Sequence, residues 1–85
     1  MNTNELFGNI IKNMRNKQSL SQEELAKRTG LDRTYISLLE RGKKNPSLFT
    51  ILKICKALDI LPSELMIKLE KENILNKMVD DCDEN

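Results

Sequence analysis

Arg33, Thr34, Ser37 and Leu38 are spaced so that a helix would carry all four on one face. Their chemistry suits recognition rather than bond making. An arginine in this setting can donate two parallel hydrogen bonds to guanine O6 and N7. Thr34 and Ser37 can donate or accept, and the Thr34 methyl can meet a thymine methyl. Leu38 is apolar on a polar face, where it either touches a thymine methyl or shields part of the helix. Tyr35 has two uses at once, a ring to pack on the domain and a hydroxyl to offer a phosphate. Lys43 and Lys44 follow in a short polar loop, where their charges favour phosphate. Groups for catalysis are missing. The chain has no histidine, which removes the commonest general base and zinc ligand. Cys55 and Cys82 are far apart, with no C-x-x-C pair, so neither a zinc site nor a disulfide framework is encoded. Cys55 falls at a core helical position and reads as a small hydrophobe. The three glycines form no phosphate-cradling loop. The expectation is a protein that is not an enzyme and needs no metal and no cofactor.

The elements that must position these residues are short and helical. No stretch alternates with period two. A first helix over about Asn4 to Lys17 has Leu6, Phe7, Ile10, Ile11 and Met14 on one face. Ser21-Gln22-Glu23-Glu24 is a capping box, in which Ser21 and Glu24 satisfy each other's amides. It opens a second helix carrying Leu25 and Ala26, which Gly30 ends. Asp32 is the natural N-cap of a third helix, Arg33 to Arg41, whose Ile36 and Leu39 turn inward and which Gly42 terminates. Ser47 caps a fourth helix, with Leu48, Ile51, Leu52, Cys55 and Leu58 as its apolar stripe. Pro62, suited to a first helical position, opens a fifth. That helix carries Leu65, Met66 and Leu69, and its pattern continues through Ile74, Leu75, Met78 and Val79. The result is an all-α chain of five short helices. Residues 21–45 form a helix-turn-helix, with the third helix free to lie in a major groove because only its inner face is used by the core.

With 85 residues there is room for one core. A net charge of +1 argues weakly against a nucleic-acid partner, but its distribution reverses that. Residues 1–60 hold 11 bases and 6 acids, a net of +5, and residues 61–85 hold 3 bases and 7 acids, a net of −4. The body is basic and the tail acidic. Residues Asp80 to Asn85 read as disordered, and their acids as solubilising, with autoinhibition or partner binding as the alternative. No apolar run approaches the roughly 20 residues that span a bilayer. The first residues lack the basic-then-apolar pattern of a signal peptide. Together with sparse cysteine these features point to the cytoplasm.

The run Ser21-Gln22-Glu23-Glu24-Leu25-Ala26, with Gly30-Leu31-Asp32-Arg33-Thr34-Tyr35-Ile36-Ser37-Leu38-Leu39-Glu40-Arg41-Gly42-Lys43-Lys44-Asn45-Pro46-Ser47, resembles the Cro/phage-repressor, or Xre-like, helix-turn-helix family. The stretch from Leu31 to Ser47 is also similar to the small controller proteins of restriction–modification systems. The resemblance spans about residues 6–69 and implies a five-helix fold of the lambda-repressor-like type. It implies that Gln22 bonds a phosphate and braces the recognition helix. It also implies that Arg33, Thr34, Ser37 and Leu38 meet bases, and that Arg41, Lys43, Lys44 and Asn45 contact phosphates alongside Tyr35. Arg15 and Glu40 match a structural salt bridge between the first and third helices. Two positions depart from the pattern. Asp59 stands where glycine is common, in a turn needing a left-handed residue that Asp tolerates better than most. Leu61 stands where a serine N-cap is common.

The expected organisation is a DNA-binding domain over residues 1–69, a C-terminal helical segment over 62–79, and an acidic tail over 80–85. Leu65, Met66, Leu69 and Ile74 belong either to the core or to a two-fold dimer contact. The contact is favoured because four helices already supply a core. The expected function is a homodimeric, sequence-specific regulator of transcription, acting in the cytoplasm at the nucleoid on a double-stranded DNA operator of pseudopalindromic sequence. A controller protein is the first reading. A stand-alone repressor or antitoxin is the second. A protein-interaction module that meets a toxin or RNA polymerase, with DNA contact secondary, is the rival of another class.

Overall fold

A computed structural model describes residues 1–75, with side chains described through Glu72. Five helices follow one another: α1 (Thr3–Lys17), α2 (Gln22–Thr29), α3 (Arg33–Glu40), α4 (Leu48–Ala57) and α5 (Pro62–Leu75). Among the described residues there is no strand. The expectations for residues 76–85, including the continuation of the last helix and the acidic tail, lie outside the described residues.

Local chemistry explains the helix ends. Ser21 accepts a hydrogen bond from the Glu24 amide at 3.0 Å, and Glu24 accepts from the Ser21 amide at 2.8 Å. Asn2 and Glu5 close the same reciprocal box at the start of α1. Gly30 ends α2 with φ +75°, a left-handed conformation in which a Cβ would be strained. Asp32 takes the N-cap position of α3, yet its side chain makes no capping hydrogen bond. Asp59 adopts φ +55°, the left-handed turn expected where glycine is common. At Leu61 the missing serine is partly replaced, because its amide donates to Glu64 Oε1 at 2.9 Å.

Around these ends the helices enclose a single apolar core. Phe7, Ile10 and Ile11 of α1 meet Leu20, Leu25 and Ala26, Ile36 and Leu39 of α3, Ile54 and Cys55 of α4 with Leu58 just after it, and Leu65 of α5. Gly8 decides how closely α1 approaches α3. A Cβ at Gly8 would lie 2.3 Å from the Leu39 carbonyl oxygen and 2.7 Å from that of Glu40, so the two backbones can pack this tightly only around glycine.

Two stripes differ from the sequence pattern. In α4 the inward set is Ile51, Ile54, Cys55 and Leu58, spaced at i, i+3, i+4 and i+7. Leu48, Phe49 and Leu52 are exposed. An almost wholly apolar helix start fits either register, and packing against α2 and α5 selects this one. In α5, Leu65 has no exposed surface, and Leu69 packs against the core. These two residues face inward because α5 lies on α1 and α4; Leu65 is a core side chain with no surface left for a dimer contact, and Leu69 is half-buried against the core. Met66 and the neighbouring Ile67 are exposed. The side chain of Ile74 lies outside the described residues.

Candidate nucleic-acid interface

The third helix owes its placement to a buried polar cluster. Arg15 reaches from α1 to Glu40 at the end of α3. Its Nε donates to Glu40 Oε2 at 2.7 Å and its second guanidinium nitrogen donates to Oε1 at 2.9 Å. The pair is withdrawn from water, with side-chain exposures of 9% and 2%. The remaining Arg15 nitrogen donates to the Leu20 carbonyl at 2.8 Å. The hydrogen bond to Glu40 holds the guanidinium pKa above its ordinary value, with burial opposing.

The cluster continues outward through α2. Gln22 Nε2 donates to Glu40 Oε1 at 3.1 Å. Gln22 Oε1 accepts from an Arg33 guanidinium nitrogen at 3.3 Å. Four side chains from three helices therefore form one connected series, running from the core to the first residue of α3.

Beyond that series, the outer face of α3 is open. Arg33 and Thr34 are exposed, Ser37, Leu38 and Tyr35 are half-buried, and Tyr35 also packs against the core. The loop after α3 is tied back to it through the backbone. The Gly42 amide donates to the Leu39 carbonyl at 3.0 Å and the Lys43 amide to that of Leu38 at 2.9 Å. Arg41, Lys43, Lys44 and Asn45 are all exposed on this tethered segment. The predicted recognition and backbone residues thus share α3 and the loop it leads into, with Gln22 joined to them by its bond to Arg33. No helix among the described residues is long and apolar enough to cross a membrane, and no group of His, Cys, Asp or Glu among them could hold a metal.

The helix-turn-helix family model matches residues 11–65, which include the capped α2, the Gly30 turn and α3. The chain belongs to the helix-turn-helix family. Among relatives of this helix-turn-helix protein, the control protein C.MunI of Mycoplasma is 49% identical over 67 residues, covering 78% of this chain and 90% of the relative. The restriction–modification controller protein C.AhdI from Aeromonas hydrophila superposes with a TM-score of 0.70 at 49% identity, covering 72% of this chain and 92% of that one. The C.Esp1396I controller tetramer, solved in complex with its natural 35 base-pair operator, superposes with a TM-score of 0.79 at 32% identity, covering 85% and 95%. The similarity to controller proteins therefore holds in sequence and in structure, and the family is one of regulators rather than enzymes.

Sequence reasoning missed Gly8, which seats α1 on the end of α3. The available signal was a lone glycine inside an otherwise continuous helical pattern, where it costs helix stability and so implies a packing reason. It also missed Gln18, whose Nε2 donates to the Leu58 carbonyl at 2.6 Å and ties the first turn to the end of α4. No pattern in the sequence marks that contact.

Proposed function

We propose that this protein is a sequence-specific DNA-binding regulator of transcription, binding a pseudopalindromic operator as a homodimer in the role of a restriction–modification controller. One observation carries the reading. The first turn of α3 exposes Arg33 and Thr34, with half-buried Ser37 and Leu38 one turn on, while a buried ion pair fixes the helix from behind. That part of the recognition helix enters the major groove in this motif, where Arg33 reads guanine and Thr34 and Ser37 meet neighbouring edges. Gln22, Tyr35, Arg41, Lys43, Lys44 and Asn45 hold phosphates on either side. The controller role rests on the similarity to C.MunI and C.AhdI, and the operator on the complex solved for C.Esp1396I. Residues 1–69 carry DNA binding.

The two-fold contact draws on the C-terminal segment over residues 62–79. Of the set named for it, Met66 is the described member left exposed, beside Ile67. Two recognition helices related by a two-fold axis read half-sites about one turn apart, roughly 34 Å centre to centre. The protein works in the cytoplasm at the nucleoid, and an RNA polymerase contact is its second partner when it activates.

The test is a gel-shift titration on duplexes selected from a random pool. Arg33→Ala should cost about 1–3 kcal/mol and relax preference at one base pair. Lys43→Ala should weaken all sequences alike and reduce the salt dependence. Unchanged affinity and preference in Arg33→Ala would remove the recognition assignment. Binding to duplex that does not respond to salt would favour a protein-interaction module instead.

A further inference from the structure

The connected series behind Arg33 has a fixed donor–acceptor polarity. An ionised carboxylate only accepts hydrogen bonds, and a guanidinium only donates. Glu40 is almost wholly buried, and its Oε1 already accepts from Arg15. Whatever else approaches that oxygen must come as a donor. The Gln22 amide therefore turns its NH2 end toward Glu40, at 3.1 Å. Its carbonyl end is left facing Arg33, which donates to it at 3.3 Å. The sense of each link follows from the charge at the buried end.

Resting on the DNA-reading role of α3 proposed above, we propose that Glu40 is a positioning residue for base selection, which sets the orientation of the Gln22 amide and through it the place of the Arg33 guanidinium. A bidentate contact to guanine requires both nitrogens of one guanidinium edge to arrive in register. A long side chain that swings freely loses rotamer entropy when it docks, and an acceptor at its flank reduces that loss. Gln22 supplies the acceptor only while Glu40 holds its NH2 end inward. The Arg15–Glu40 pair thus has a second role besides joining α1 to α3.

The variant Glu40→Gln reads this directly. A neutral amide at position 40 that keeps its oxygen on Arg15 Nε sets its NH2 where Oε1 stood, toward Gln22, and gives up the second Arg15 bond. Gln22 then reverses to accept, and its NH2 faces the Arg33 donors, so Arg33 loses its support. Gln22→Met cuts the same link and leaves the buried ion pair in place, so it tests the idea even where Glu40→Gln fails to fold. The probes are duplexes selected by the wild-type protein from a random pool, then substituted one base pair at a time. Arg33→Ala identifies the base pair that Arg33 reads.

At that pair, preference should fall roughly tenfold in Glu40→Gln and in Gln22→Met, while preferences at the other pairs stay within roughly twofold. Arg33→Ala added to Gln22→Met should then cost little further preference. Loss of a phosphate contact from Gln22 would lower affinity for every sequence equally and would not change these ratios. Preference at the Arg33 pair that is unchanged in Gln22→Met, or lost evenly across all pairs, overturns the proposal while DNA reading stands. Wild-type protein that selects no sequence at all overturns both.

Discussion

In α1–α3 polar side chains turn inward and in α4–α5 apolar side chains turn outward. Arg15 and Glu40 are buried and joined by two short, directional bonds, and Gln22 and Arg33 extend the same cluster to the surface. Both α1 and α2 begin with complete capping boxes. By contrast, among the described residues the large exposed hydrophobics apart from Met1 are Leu48, Phe49, Leu52, Leu61, Met66 and Ile67, all from α4 onward. Only one half of a capping box is present at Leu61. Hydrogen-bonded charge fixes an orientation, which a base-reading helix needs. Apolar burial is non-directional and sums area, and apolar side chains left in water favour a further contact. The two halves of the chain thus differ in kind, one fixed by directional hydrogen bonds and the other leaving apolar side chains in water.

The largest effect should come from breaking the buried pair on one side. Glu40→Ala leaves the Arg15 guanidinium, 9% exposed, without its carboxylate, and Gln22 without its inner acceptor. A loss of about 3–5 kcal/mol of folding stability is expected, enough to unfold much of a domain this small. Urea unfolding followed by circular dichroism measures it. A cost under about 1 kcal/mol would show that the pair is not what holds α3. Replacing Arg15 and Glu40 together by apolar residues of similar volume should recover part of the loss, since the lone charge is then gone.

The next effect separates two neighbours on α5. Leu65→Ala should cost about 2–5 kcal/mol, because a fully buried side chain leaves a cavity against α1 and α4. Met66→Ala should change protomer stability by less than about 0.5 kcal/mol and instead raise the dissociation constant of the dimer, read by sedimentation over a concentration series. Equal unfolding midpoints for the two variants would erase the distinction between core and assembly residues drawn within one helical turn.

That pair of residues also shows what a sequence can and cannot tell. The five helices, the capping box at Ser21, the turn at Gly30 and the exposed outer face of α3 were all legible, because each depends on near neighbours in the chain. The side of a mostly apolar helix that faces inward depends on the elements packed against it. Leu48 and Leu52 fit the periodicity of α4 as well as Ile54 does, and Leu65 fits a dimer stripe as well as a core. Gly8 was not legible as a contact, because the carbonyls it admits belong to Leu39 and Glu40, about thirty residues away. The Arg15–Glu40 pair came from family resemblance and not from spacing. Its link through Gln22 to Arg33 required coordinates.

The smallest effect concerns the caps of α2 and α5, which differ by one side-chain oxygen. At α2 the Ser21 amide and hydroxyl both stabilise ionised Glu24, and with help from Arg28 and Lys27 they hold its pKa below the ordinary 4.5, burial opposing slightly. A carboxylate whose pKa is lower in the folded state contributes stability that is fully present above its unfolded value. That contribution is lost as pH falls through the folded value. Wild-type protein should therefore exceed Glu24→Gln in stability at neutral pH, and the difference should shrink as pH falls below about 4.5. Urea midpoints for both proteins at several pH values give the measurement. A difference that is constant across that window would mean the Glu24 charge does not contribute to holding α2. A difference that closes on acidification would place part of the directional character of α1–α3 in a surface cap as well as in the buried pair.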